Sequence, residues 1–197
     1  MNFFKPVTFI FLFTMISGCH NTGVDSIDVY KLQFDNTYLF SDYDDFIDGV
    51  GLPQTVKAHP EVFTVQSKTE LDSIIQIFDG LRMIQLQYPG FEMGYMRGGQ
   101  VIIDNIDFRK TDRKIRYNHV TFGPEFTVKE FKSLYPRSGN FKLANEHSLF
   151  GMNTGETTVN TEHYMLLRRS DNDPYAEPTV EFTFRDGNLI YIFFANF

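Results

Sequence analysis

The sequence has one cysteine, Cys19, and no tryptophan among its 197 residues. A single thiol rules out an intrachain disulfide and a zinc site built from several thiolates. Basic side chains are also few, because 18 Lys and Arg stand against 25 Asp and Glu, for a formal net charge of −7. An acidic chain argues against a nucleic-acid partner, since binding to phosphates rewards basic patches. The fold therefore depends on an apolar core, to which 22 Phe and 10 Tyr contribute.

Long hydrophobic runs are missing as well. The apolar run Val7–Met15 is too short to cross a bilayer, which takes about 20 residues. It follows a short basic start and precedes the small residues Ser17 and Gly18, a pattern typical of an export signal. An N-terminal anchor helix is the alternative interpretation of the same stretch.

The four residues Ile16-Ser17-Gly18-Cys19 resemble the lipobox of bacterial lipoproteins. The resemblance implies that residues 1–18 are a cleaved signal and that Cys19 carries the lipid. It places the chain in the bacterial cell envelope, held to the membrane through Cys19. The next residue is His20 and not an inner-membrane retention aspartate, which favours the outer membrane. A secretory signal with an incidental cysteine remains the alternative.

The remainder divides into a short polar stretch and two segments of similar organisation. Residues 19–28 are polar and predict a tether between lipid and fold. Residues 29–112 and 113–197 each contain a short capped helix followed by a hairpin pattern, which is a faint internal repeat. The sequence therefore predicts an α+β fold. We expect an antiparallel sheet with capped helices packed on one face, arranged as two tandem helix-plus-hairpin units.

Helix starts support this arrangement. Thr127 and Glu130 form a capping box, in which each side chain satisfies a free amide of the first turn. Ser41 with Asp44 predicts the cap of an earlier helix. Residues 67–80 are ambiguous: Ser67 and Glu70 favour a helix, whereas Asp79-Gly80 is also compatible with a hairpin turn.

The two hairpins predict which side chains face the core. Asp186-Gly187 is a favoured pair for a two-residue turn, because both residues need positive φ. With that turn, alternation assigns six residues of the second hairpin to one face: Val180, Phe182, Phe184, Leu189, Tyr191 and Phe193. In the first hairpin, the corresponding face holds Phe91, Met93, Tyr95 and Ile102.

The opposite face of both hairpins mixes aliphatic and charged residues. The solvent-exposed face of an antiparallel sheet is usually mainly polar. Aliphatic residues exposed on that face therefore predict a protein-binding surface. The candidate partner-binding residues are Glu92, Met96, Val101, Ile103, Glu181, Thr183, Arg185, Ile190 and Ile192.

A longer stretch carries a second resemblance. Gly123, the capped helix from Thr127 to Pro136, and the hairpin Val180–Ile192 are similar to one unit of the SmpA/OmlA and β-lactamase-inhibitor-protein fold group. Residues 45–53 with Tyr88-Pro89-Gly90 resemble the same group's helix end and aromatic strand. The likeness implies non-enzymatic lipoproteins that bind other proteins, either in outer-membrane assembly or as inhibitors.

No motif indicates catalysis or a cofactor. The five histidines stand without a second ligand at metal-binding spacing, and the acidic run Asp42–Asp48 fails the EF-hand pattern at its fifth position. Nucleophile-elbow and phosphate-loop motifs are absent. We therefore expect no metal, no cofactor and no enzyme, and a membrane-anchored module that binds another cell-envelope protein. The alternative is a small hydrolase or small-ligand-binding lipoprotein.

Overall fold

The computed structural model describes residues 25–34, 36–140, 160–169 and 179–195. Cys19, residues 1–18 and most of the predicted tether lie outside these residues. The described part holds strands and helices in an α+β arrangement, as the sequence predicts. Its helices are α1 (Tyr43–Val50), α2 (Lys68–Phe78) and α3 (Val128–Leu134), with a short 3-10 turn at Val29–Lys31.

Fifteen short strands make up the rest of the regular structure in the described residues. They are β1 (Ser26–Asp28), β2 (Leu32–Phe34), β3 (Thr37–Tyr38), β4 (Phe40–Asp42), β5 (Thr55–Ala58), β6 (Glu61–Thr64), β7 (Ile84–Tyr88), β8 (Phe91–Met96), β9 (Gln100–Asp107), β10 (Ile115–Tyr117), β11 (Val120–Phe122), β12 (Gly139–Asn140), β13 (Thr161–Arg169), β14 (Thr179–Arg185) and β15 (Asn188–Phe194).

Most strands belong to one large sheet. Its order is β1-β13-β14-β15-β9-β8-β7-β5-β6, with β12 paired to β13 and β4 paired to β9. All of these pairs are antiparallel except β1 with β13. The sheet is continuous from the first to the second predicted unit, because β9 pairs directly with β15.

A smaller sheet of four strands runs in the order β11-β10-β2-β3. It joins β2, from the first predicted unit, to β10, from the second. Strand β1, at the end of the predicted tether, pairs with β13 of the second predicted unit. These pairings confirm the α+β class, but they interleave the two predicted segments and do not by themselves divide the chain into tandem units.

The helix caps agree with the sequence at two of three places. Thr127 and Glu130 form the predicted capping box at the start of α3. Ser67 accepts from the amide of Glu70, so residues 68–78 are a helix and the hairpin alternative is wrong. The cap of α1 is Asp42 and not Ser41. The Ser41 hydroxyl is engaged elsewhere, since it donates to the carbonyl of Tyr38.

The helices and the small sheet cover the same face of the large sheet. Phe46 of α1, Leu71 of α2 and Phe131 of α3 are fully buried in one apolar cluster with the inner residues of the strands. Phe131 packs against Phe182 and Phe184, with ring centroids 4.9 and 5.5 Å away. One core therefore holds the described elements together, and it lies on one side of the large sheet.

A bulge corrects the predicted faces of the second hairpin. Thr183 pairs with Tyr191, but the next residue Phe184 pairs with Leu189, so Ile190 is an extra residue in β15. An extra residue reverses the alternation beyond it. Ile192 is therefore core, at 1% exposure, while Tyr191 and Phe193 lie on the opposite face, contrary to the prediction. The turn itself is as predicted, since Asp186 and Gly187 have φ of +50° and +84°.

The first hairpin differs for another reason. Its turn contains three residues, Arg97 to Gly99, so Tyr95 pairs with Val101 and not with Gln100, which would be its partner across a two-residue turn. The register moves by one position, and Val101 and Ile103 are buried in the core. Ile102 is buried on the other face, where it pairs with Phe40 of β4. Three of the nine predicted partner-binding residues, Val101, Ile103 and Ile192, are thus unavailable to a partner.

Candidate functional site

The face of the large sheet opposite the helices and the small sheet is the candidate site, and we call it the open face. A row of directly paired residues crosses it from β5 to β13. Each member faces the next across two neighbouring strands: Thr55, Gln87, Glu92, Asn105, Phe193, Glu181 and Met165. A shorter parallel row consists of Asp107, Tyr191, Thr183 and His163.

Alternation along the strands produces this surface. In β7, Ile84, Leu86 and Tyr88 are buried, while Gln85 and Gln87 between them are half-buried on the open face. Strand β14 alternates in the same way, with Glu181 and Thr183 outside. Each of these strands has one apolar face and one mixed face, as expected for a sheet that is covered on one side.

Amide side chains fix the first half of the long row. The Glu92 carboxylate accepts from Gln87 Nε2 at 3.2 Å and from Asn105 Nδ2 at 3.0 Å. Thr55 Oγ1 donates to Gln87 Oε1 at 2.8 Å and extends the chain to β5. Because Gln87 is bonded on both sides and Asn105 is bonded to Glu92, this half of the row is a pre-ordered polar strip.

The second half of the row is different in character. Glu181 is flanked by Phe193 on β15 and Met165 on β13. Its Oε1 is shielded from solvent and has no hydrogen-bond partner among the described residues. Burial raises the pKa of this carboxyl. The centre of the open face therefore contains a poorly solvated acid between an aromatic ring and a thioether.

The shorter row joins a histidine to a buried ion pair. His163 Nδ1 lies 3.1 Å from Thr183 Oγ1, and burial lowers the pKa of the imidazole. Asp107 is the one buried charged residue in the described part of the chain. Burial opposes its ionisation, but hydrogen bonds from Arg109 at 2.7 and 2.9 Å hold its pKa below the usual value. Between them, Tyr191 has a pKa raised chiefly by burial.

Six of the predicted partner-binding residues are compatible with this surface. Glu92, Glu181, Thr183 and Arg185 lie on the open face by strand register, and exposed Met96 extends it at the end of β8. Ile190 is the half-buried extra residue of the bulge. Sequence reasoning missed Gln87, Asn105, His163, Tyr191 and Phe193. The alternation Ile84-Gln-Leu-Gln-Tyr88 was a usable signal for Gln87.

Among the described residues, no group of three or more His, Cys, Asp or Glu is placed to hold a metal ion. None of the helices in that part of the chain is long and apolar enough to span a membrane. A comparison with protein-family models finds no match, and comparisons with the curated proteins and with the solved structures find none either.

Proposed function

We propose that this chain is a non-catalytic protein-binding module of the bacterial cell envelope, tethered by lipid on Cys19, and that the open face is its contact surface. One observation carries the proposal: a row of paired polar and aromatic side chains crosses five adjacent strands from Gln87 to Glu181 and is covered by none of the described helices. A surface that extends over five strands suits a protein partner better than a small molecule.

The chemistry of the row supports this assignment. Interfaces are enriched in aromatic residues at their centre and carry polar groups at the rim. Phe193 lies in the middle of the row, and the amide strip around Glu92 occupies one end of it. The half-buried Glu181 also gains from a partner, because a shielded carboxyl oxygen without a hydrogen bond costs free energy that an incoming donor would recover.

The finer arrangement, two tandem units as in the SmpA/OmlA-like group, is part of the same proposal. Helix α1 precedes the meander β7-β8-β9, and α3 precedes β13-β14-β15. Phe46 of α1 packs on Tyr88 in β7 with ring centroids 6.1 Å apart, and Phe131 of α3 packs on Tyr164 in β13 at 5.1 Å. Both meanders end in a bulged hairpin.

Native-state hydrogen exchange tests the tandem arrangement. Two units predict that β7–β9 and β13–β15 open with separate free energies, since cooperative opening follows supersecondary units. A single opening free energy shared by both meanders would contradict it.

The binding proposal is tested by placing charge on the open face. Gln87→Lys and Thr183→Lys alter half-buried positions outside the core, so folding should persist. Chemical crosslinking in intact cells should give a complex with the unaltered protein and lose it with both variants. The matched control is Leu134→Lys, which adds the same charge to an exposed position on α3. If both open-face variants fold and still form the complex, the open face is not the interface.

Lipid anchoring has its own test. Cys19→Ser should give a product that takes up no labelled palmitate and is not cut after Gly18. Equal palmitate incorporation by the unaltered protein and the variant would show that Cys19 is not the lipidated residue.

A small polar ligand is the second candidate for the same surface. Burial raises the pKa of Glu181 and lowers that of His163 on the adjacent strand, and perturbed groups of this kind concentrate at ligand sites. Glu181→Gln distinguishes the two candidates. It leaves a broad protein interface largely intact, whereas a compact ligand site built around that acid would lose binding.

A further inference from the structure

We infer that the protein bound at the open face places an arginine side chain on Glu181, between Phe193 and Met165. The inference rests on the proposed function, because it names the chemistry that the partner brings to the centre of that surface. It also goes further, since a partner that uses other residues of the open face would leave Glu181 unpaired.

Glu181 differs from Glu92 and Asp107, two other acids of the open face. Glu92 accepts hydrogen bonds from two amide side chains, and Asp107 accepts them from Arg109. In the described part of the chain, Glu181 Oε1 is the one shielded side-chain oxygen or nitrogen without a hydrogen-bond partner. Such atoms are rare in folded proteins, and each requires a physical explanation.

The described neighbours of Glu181 do not supply a partner. Phe193 and Met165 lie directly across from it on the two adjacent strands, and neither side chain has a hydrogen-bond donor. Thr183, two residues along β14, lies 3.1 Å from His163 Nδ1 and is engaged there. Burial alone accounts for the raised pKa of Glu181. The carboxyl is therefore left with a requirement that the described residues do not meet.

A protein docked on the open face is able to meet this requirement. Glu181 is half-buried and lies on the face of β14 that points away from the helices, so a partner reaches its carboxyl without opening the core. Rotation about the last torsion of a glutamate side chain is easy, which lets either oxygen turn towards an incoming donor. The desolvation cost of the unpaired oxygen is then recovered in the complex.

The surroundings of Glu181 favour a cation as the donor, and an arginine among the cations. Directly opposed residues in a sheet have Cβ atoms about 4.5–5.5 Å apart, so a side chain bound to Glu181 also meets Phe193. An aromatic ring attracts a positive group within about 6 Å. A guanidinium is planar, less strongly hydrated than an ammonium, and forms two parallel hydrogen bonds with a carboxylate. Arginine is accordingly enriched at the centres of interfaces.

Charge also favours a basic partner residue over the other occupants. The chain has a net charge of −7, which attracts a basic surface. A bound water needs about two to four polar partners, whereas apolar Phe193 and Met165 flank this position. A neutral donor would leave the charge of the carboxylate unbalanced in a shielded place.

The test compares Glu181→Met with Glu181→Gln in the full chain, by crosslinking in intact cells and then by titration with the isolated partner. Glu181→Met removes the acceptor and should weaken binding roughly 10–100-fold. Glu181→Gln keeps an acceptor oxygen, so the loss should be less than about tenfold. Both variants should raise the thermal midpoint of the free protein at neutral pH, because they remove the unpaired carboxylate. A residue that only supports the fold would lower stability and binding together.

Glu125→Gln is the matched control. It removes the same charge from an exposed side chain in the segment before α3, where a surface ion pair contributes little. It should change neither the affinity nor the thermal midpoint appreciably.

A double-mutant cycle then tests the partner's residue. Replacement of Phe193 by photoreactive benzoylphenylalanine should crosslink to a segment of the partner that contains an arginine. Changing that arginine to glutamine should weaken the complex about as much as Glu181→Met does. The two changes together should weaken it no more than either one alone, since they remove the same contact.

The outcomes separate this inference from the proposed function. If Gln87→Lys and Thr183→Lys lose the complex while Glu181→Met binds normally, the open face is the interface and the inference is wrong. If none of the three variants weakens the complex, the proposed function is wrong as well. The inference is also overturned if no arginine of the partner couples to Glu181. A lower thermal midpoint in both Glu181 variants would overturn it too, because the carboxyl would then be satisfied in the free protein.

Discussion

Gly49, near the end of α1, lies against Thr37 of β3. A Cβ at Gly49 would be 2.1 Å from Thr37 Oγ1 and 3.1 Å from Thr37 Cβ, well inside van der Waals contact. The glycine therefore sets how closely the helix approaches the small sheet. Its role is steric, because Gly49 is not among the residues with positive φ.

The first prediction follows from this contact. In an open helix position, Gly→Ala stabilises by about 1 kcal/mol, but here Gly49→Ala should destabilise by about 1–3 kcal/mol because the methyl group overpacks the contact. Urea unfolding measures the change. In a Thr37→Ala background, which removes the closest atom, the cost of Gly49→Ala should fall by about 1 kcal/mol. Additive effects of the two changes would show that the residues do not interact.

The second prediction concerns pH and Glu181. Burial raises the pKa of this acid in the folded state, so the folded protein binds its proton more tightly than the unfolded chain does. Stability then falls as pH rises from the ordinary value of 4.5 through the folded-state pKa. Glu181→Gln should raise the thermal midpoint at neutral pH, by an amount corresponding to about 1 kcal/mol. This gain should vanish below pH 4.5.

Glu162 provides the control of opposite sign. Hydrogen bonds from Tyr164 and Lys132 lower the pKa of its carboxyl, so the stability it contributes is present at neutral pH and is lost as pH falls through the folded-state pKa. Glu162→Gln should cost roughly 0.5–1 kcal/mol at neutral pH and nothing in acid. The same pH profile for both variants would contradict the assignment of Glu181.

The third prediction tests the core. Phe131 and Phe182 are at most 1% exposed and contact each other, so Phe131→Ala or Phe182→Ala should each cost about 3–5 kcal/mol. Leu134→Ala, at an exposed position on the same helix as Phe131, should stay within roughly 0.5 kcal/mol. Unchanged unfolding midpoints for both phenylalanine variants would place these rings outside the core.

The fourth prediction separates the two faces of the hairpin formed by β14 and β15. Ile192→Lys should abolish folding, since it buries a charge without a partner. Thr183→Lys, on the open face, should fold. Circular dichroism distinguishes the outcomes. A folded Ile192→Lys protein would mean that the bulge at Ile190 is absent and that the unbulged register of the hairpin is correct.

The fifth prediction concerns the start of α3. Thr127 Oγ1 accepts from Glu130 N at 3.2 Å, and Glu130 Oε2 accepts from Thr127 N at 2.8 Å. Thr127→Ala should cost about 1 kcal/mol, as for other lost N-caps. Thr127→Ser keeps the hydroxyl and should cost less than half as much. Equal losses would assign the effect to the methyl group and not to the capping box.

Local chemistry made several elements predictable from the sequence. Two helices begin with side chains that bond free amides of their first turn, from Ser67 and Thr127. The turn Asp186-Gly187 supplies the two positive φ angles that a tight hairpin needs. Such requirements select a few residue types, so the starts of α2 and α3 and the tip of the second hairpin could be identified without knowledge of the rest of the fold.

Local preferences could not predict which side chains lie on which face of each hairpin. The bulge at Ile190 and the three-residue turn before Gln100 each move the register by one position, and one position exchanges the two faces of a strand. Ile190, Tyr191 and Ile192 are all good strand formers, so no local preference selects between the registers. What decides is the fit of Ile192 into the core, which depends on residues distant in sequence.

Pairings between distant segments could not be predicted from the sequence either. One of them, between β1 and β13, has a consequence for the order of folding. Ser26 of β1 pairs with Leu167 of β13, 141 residues later. Loops of that length close slowly because their entropy must be overcome before the contact forms. During synthesis, or during translocation that begins at the N-terminus, β1 emerges before the other described strands. It cannot pair until β13 has also emerged. The first strand of the described residues is therefore among the last to pair, and a chain halted before residue 161 would present it to any chaperone that binds extended segments.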